Sequence, residues 1–222
     1  MKSVLLFLIY LLFCTNLGIS QNTPSFNFNE SDSVIKYFHL VTKGSEYGTY
    51  NGYSKYYDDI KVYLIDKKDT VFKNELIKVI AELNFVLDSL NISIVNSAEN
   101  ANLIVHYKSQ KDIREYHHYY DNFFKTMSTP NTIIAGLAKS SFYLESYSKP
   151  IKKIEKSVIW VSTEVSLSMM MHTLREEFAQ SLGLYNDVGL YSNSIFYSGS
   201  SYPTQYSKLD LTIIDMLYNK VK

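Results

Sequence analysis

Hydrophobic period changes twice between Ile60 and Tyr107, and that change is the strongest constraint on the fold. Ile60 to Ile65 alternates as a half-buried strand does, and Asp66-Lys67-Lys68-Asp69 turns it. From Thr70 the apolar residues Phe72, Leu76, Val79, Ile80, Leu83, Val86, Leu87 and Leu90 recur at helical spacing, which predicts one long helix. Ile92 to Val95 and Leu103 to Tyr107 then read as short apolar strands separated by the turn-rich Asn96 to Asn102. A strand, helix, strand order favours a mixed sheet with the helix packed on it. Ile133 to Leu144 and Ile154 to Ser162 supply two further strands, and a helical stretch is expected around Ile113 to Phe124. Ahead of these, Ser31-Asp32 can cap an amphipathic helix from Ser33 to Lys43, with Gly44 as its stop. Ser45 to Tyr57, rich in Gly and Tyr, reads as loop. The expected class is α/β (α+β), with one domain over residues 31–222.

What precedes that domain carries a different pattern. Lys2, the apolar run Val4 to Phe13 and the small residues of Gly18-Ile19-Ser20 have the three-part layout of an export signal. Ten apolar residues are too few to span a bilayer as a helix. Residues 1–20 are therefore read as a signal peptide and 21–30 as a loose leader. The expected destination is the periplasm, the cell surface or the medium, with no transmembrane segment in the mature chain. The only cysteine, Cys14, lies inside the signal, so disulfides, thiolate catalysis and Cys-ligated zinc are excluded after cleavage. A lipid anchor on Cys14 asks for a small residue just before it, and Phe13 is large. Cleavage removes one basic residue, Lys2, and no acidic one. The 22 basic and 22 acidic side chains then leave a net charge near −1, which offers nucleic acid no long-range attraction. Stability has to come from a core, and the 20 tyrosines and 12 phenylalanines are read as packing for it.

The segment richest in chemistry is a helix expected from Val165 to Leu182 and stopped by Gly183. Leu167, Met171, Leu174, Phe178 and Leu182 form its apolar stripe. His172, Glu176 and Gln180, at i, i+4 and i+8, share the opposite side, with Glu177 beside them. For an arbitrary helix that side is a solvated polar face.

The surrounding string changes the expectation. Glu176-Glu177-Phe178-Ala179-Gln180-Ser181-Leu182-Gly183-Leu184-Tyr185-Asn186-Asp187 resembles the zinc-binding HExxHxxGxxH motif of metzincin metallopeptidases. The spacing is intact, but Glu176, Gln180 and Asn186 stand at the three histidine positions and Glu177 at that of the general base. Ser194-Ile195-Phe196-Tyr197 resembles the Met-turn of those enzymes, with Phe196 in the methionine position. Leu209 to Tyr218, with a capping box from Ser207 and Asp210, resembles their C-terminal helix. Tyr37-Phe38, Gly44 to Gly48, the Glu176 to Asp187 string, Ser194-Ile195-Phe196 and Leu209 to Tyr218 together resemble the bacterial secreted family called domain of unknown function 2927 (DUF2927). The resemblance covers roughly Ser33 to Lys220. It implies a zincin-like mixed sheet with a long packing helix, a motif helix and a C-terminal helix, and it implies no established activity.

The substituted motif limits the chemistry. Glu176, Gln180 and Asn186 offer oxygens only, two of them neutral amides, and Asp187 can stand in for Asn186. Such a set suits a weakly held calcium, magnesium or manganese rather than zinc. His172 with Glu176, one helical turn apart, is the remaining candidate pair for a metal. Without metal, Glu176, Glu177 and Gln180 could hold a shared proton for general acid–base work, or form a polar network that keeps the turn together. Arg175 either supplies a counter-charge or faces solvent. Two functional classes follow. One is a non-catalytic binding or structural module, a pseudopeptidase holding a peptide, protein or glycan in the cleft beside the motif helix. The other is a peptidase-like hydrolase with Glu177 as its general base.

Overall fold

A computed structural model describes residues 31–44, 52–66, 68–120, 134–143 and 149–221, with side chains described throughout except at 116–120. The signal and leader expected over residues 1–30 lie outside the described residues, as does Asp121 to Phe124 at the end of one expected helix.

The chain order is α1 (Asp32–Thr42), β1 (Tyr53–Lys55), β2 (Ile60–Leu64), α2 (Thr70–Asn84), β3 (Ile92–Ile94) and β4 (Leu103–Lys108). It continues with α3 (Gln110–Tyr120), β5 (Gly136–Phe142), β6 (Ile151–Ser162), α4 (Leu167–Ser181) and α5 (Lys208–Asp215). A π-helical turn, Met216–Lys220, prolongs α5. Strands β3, β2, β4 and β6 lie side by side and parallel, and β5 is added antiparallel along β6. The fold is thus a mixed α/β sheet with packed helices, and its element order is the one the resemblance implied. Helix α4 packs against β5, β6 and α2.

Local chemistry explains where the elements stop. Asp69 caps α2 by accepting from the Phe72 N–H at 2.8 Å. Hydrophobic spacing alone extends that helix to Leu90, but it ends at Asn84. The Asn84 carboxamide pairs with both the N–H and the C=O of Ile92, each at 2.8 Å, so it serves the edge of the sheet instead. Phe85, the next residue, is 85% exposed. A second difference is β1, which lies inside the expected loop. Tyr53 to Lys55 pair in parallel with Ile151 to Lys153, and this extends β6 three residues before its expected start.

The apolar stripe of α4 is only partly as expected. Leu174, Phe178 and Leu182 are fully buried, whereas Leu167 in the first turn is exposed. The opposite side is only partly open to solvent, with Glu176 and Gln180 half-buried. His172, Thr173, Arg175 and Glu177 are buried too, because α2, the start of β5 and the 202–206 segment cover it. Central position in the fold, rather than amphipathic period, decides the environment of this helix.

Candidate functional site

Helix α4 begins with a side-chain cap, Ser166 accepting from the Met169 N–H. It ends in a Schellman turn, with Gly183 N–H donating to Gln180 O at 3.0 Å and Leu184 N–H to Ala179 O at 3.2 Å. Gly183 has φ +109°, and a Cβ there would lie 1.9 Å from the Ser54 carbonyl oxygen. Both the left-handed backbone and the contact with β1 therefore demand glycine.

Beyond this turn the motif residues part company. Gln180 Nε2 lies 3.5 Å from Asp187 Oδ1. Asn186 turns away to α1. Its amide nitrogen donates to Leu40 O at 3.0 Å and Lys43 O at 3.1 Å, with Val41 O at 3.4 Å, and its backbone N–H donates to Val41 O. These carbonyls belong to the last turn of α1 and the residue after it, where a helix leaves acceptors unsatisfied. Asn186 is thus an inter-element helix cap. A zinc ion held by Glu176, Gln180 and Asn186 does not fit this arrangement, because the Asn186 amide is engaged with backbone and the donors are oxygens.

Glu176 and His172 face each other along α4, with Oε2 and Nε2 3.6 Å apart. His172 Nδ1 is 3.0 Å from Pro203 O, and the imidazole meets the Tyr202 ring edge-on. Burial pushes the His172 pKa down against the opposing pull of the Pro203 carbonyl and Asp210. Glu177 is 6% exposed and lies against the head of β5. A Cβ on Gly136 would come within 2.8 Å of Glu177 Cγ and Oε1, and closer still to Thr173. The glycine therefore lets the antiparallel strand approach the carboxylate.

Phe196 is fully buried in the turn that follows the motif. Phe196 O accepts from Val188 N–H, and Tyr197 N–H returns to Ser194 O. A buried chain holds this turn to α5. Tyr37 OH donates to Ser194 Oγ at 2.8 Å, Ser194 Oγ donates to Asp210 Oδ1, and Ile195 N–H and Ser207 N–H donate to Asp210 Oδ2. Burial raises the Asp210 pKa, and these hydrogen bonds only partly offset it. Ser207 and Asp210 also form the expected capping box.

Two anchors were not fixed by the sequence, which leaves Arg175 between a counter-charge and solvent and does not mark Lys55. Arg175, 1% exposed, donates to Glu75 Oε1 at 2.7 Å and to both carboxylate oxygens of Glu82. The signal was present, since Glu75 and Glu82 interrupt the apolar stripe of α2 seven residues apart and so call for a buried cation. Lys55 is 7% exposed and donates to Leu217 O, Tyr218 O and Val221 O at the C-terminal end of α5 and its π-turn. Nothing in the local sequence marks it, because its acceptors lie more than 160 residues away.

These features define a mixed α/β protein whose central helix is largely covered on both sides and ends in a glycine turn against β1. The chain belongs to DUF2927, a family described as protein of unknown function, whose pattern matches residues 31–221. Among solved structures, a crystal structure of myroilysin aligns at 12% identity and TM-score 0.42, covering 87% of this chain and all of the other. A second myroilysin structure aligns at 15% identity and TM-score 0.33, covering 74% of this chain and 61% of that one. No curated protein matches the sequence. Among the described residues, no helix is long and apolar enough to cross a membrane.

Proposed function

We propose that the chain is exported and acts as a non-catalytic binding or structural module on a metzincin-like layout. Its ligand is an extended peptide or protein segment, or a glycan, held beside the motif helix along the outer edge of β5. The observation that carries this reading is Asn186. In the position of a third metal ligand, its amide instead fastens α1 to the motif turn. These protein contacts hold the scaffold around the motif. Strand β5 adds support for a peptide. It pairs with β6 along one edge, and no other described strand pairs with it. An extended segment can add to such an edge through main-chain hydrogen bonds.

The hydrolase reading draws on one observation, the Glu177 carboxylate against Gly136 at the head of that strand. A peptide library separates the two. The mature chain is expected to retain a subset of peptides on an affinity surface and to leave them uncut by mass spectrometry. Saturable cleavage that disappears in a folded Glu177→Gln variant would replace the binding reading with the hydrolase. Export has its own check. Intact mass of the exported protein should correspond to a chain starting at Gln21, and retention of Met1 to Ser20 or a diacylglycerol on Cys14 would refute it.

A further inference from the structure

We propose that His172 and Glu176 chelate a divalent transition-metal ion through Nε2 and Oε2, one helical turn ahead of the degenerate motif. At i and i+4 on α4 the two side chains share a face. The Pro203 carbonyl oxygen can only accept, so His172 Nδ1, 3.0 Å away, carries the hydrogen. In the neutral ring Nε2 then presents its lone pair, and what it faces is a carboxylate oxygen at 3.6 Å. That separation is longer than any hydrogen bond described above, and the contact is an ion pair only when the ring is protonated. It suits a bridging cation. Two ligand arms of about 2.1 Å at a tetrahedral angle set their donor atoms about 3.4 Å apart.

The surroundings hold the imidazole for this role. A backbone carbonyl on the far ring nitrogen is the usual support of a metal-bound histidine, since it fixes both tautomer and orientation. The Tyr202 ring packs edge-on to the imidazole, with centroids 5.5 Å apart. Tyr206 OH donates to Arg175 O at 2.9 Å, which fastens the 202–206 segment to the same helix. Side-chain exposure is 5% for His172 and 18% for Glu176, so the ion enters from the carboxylate side. One imidazole and one carboxylate select zinc, cobalt, nickel or copper over calcium and magnesium. Among the described residues no group of three or more His, Cys, Asp or Glu is placed to hold an ion. Water therefore completes the coordination, and the affinity is modest.

Co2+ added to the full mature chain reads the site directly through its visible absorption. One Co2+ per chain should bind saturably, and the melting temperature should rise with Co2+ because the ion binds only the folded state. Glu176→Gln keeps side-chain volume at a partly exposed position. It should weaken binding at least about tenfold and abolish the melting shift, with an unchanged circular dichroism spectrum. His172→Gln should do the same, and Gln180→Ala should bind as wild type does. Absence of saturable absorption in the wild type would overturn the proposal. So would undiminished binding by a folded Glu176→Gln or His172→Gln variant.

Discussion

Replacing Gly183 with alanine is expected to destabilise the protein by roughly 2–6 kcal/mol. Two independent costs add. A non-glycine residue held at φ +109° is strained by about 1–3 kcal/mol. The new methyl group would also sit 1.9 Å from the Ser54 carbonyl oxygen, a backbone atom that cannot rotate aside, and such overpacking costs about 1–3 kcal/mol more. Ser54 is paired into the sheet through β1, and its neighbour Lys55 holds the carbonyls of Leu217, Tyr218 and Val221. A shift that relieves the clash therefore loosens the C-terminal helix as well. Urea melts of the wild type and variant measure the effect. A loss below about 1 kcal/mol would mean that the motif turn does not press on β1 as described.

Arg175→Met is expected to cost about 3–5 kcal/mol at neutral pH, because it leaves the buried Glu75 carboxylate with only the exposed Lys78 as counter-charge. The pH dependence identifies the cause. In the wild type, burial alone would push Glu75 up, but hydrogen bonds and charge from Arg175 and Lys78 hold it below the usual glutamate range. A depressed folded pKa contributes stability above the unfolded value, and that contribution disappears as pH falls through the folded one. Without Arg175 only Lys78 remains, 63% exposed, and burial dominates. The folded pKa then lies above the unfolded value, so the sign reverses and acidification favours the folded variant. The stability gap between the two proteins should therefore narrow from pH 7 towards pH 4. A gap that stays constant would show that lost packing of the guanidinium, not the stranded carboxylate, sets the cost. Glu75→Gln in the Arg175→Met background should recover part of the loss by removing the buried charge.

Much of the architecture was legible because it is written locally. Strands β2, β3, β4 and β6 and helices α1, α2 and α4 lie where hydrophobic period puts them, to within a few residues at most ends, although the Ser31 side chain makes no cap bond to α1. The errors have a common origin. Asn84 ends α2 early by pairing with Ile92, and β1 exists only because Ile151 to Lys153 lie alongside it. Both partners are settled by contacts outside the segment being read. The environment of α4 was misread for the same reason. Period distinguishes one side of a helix from the other, but it cannot tell that the polar side is largely covered as well.

The sequence by itself determined the α/β order, the glycine-terminated motif helix, the Ser207–Asp210 capping box and the absence of histidine at the three motif positions. Each follows from residue type and short spacing, which act through local dihedral preference and hydrogen bonding. Tertiary structure alone decided what the motif residues touch. It sent the Asn186 amide to α1, set Arg175 between Glu75 and Glu82, aligned His172 with Glu176 against Pro203, and brought Gly136 onto Glu177. Most of these partners lie tens to more than a hundred residues apart in the chain, and even the His172–Glu176 pair takes its alignment from Pro203 across α4. A side chain's chemistry is read from its own atoms, but its partner is chosen by how the whole sheet and its helices close around it.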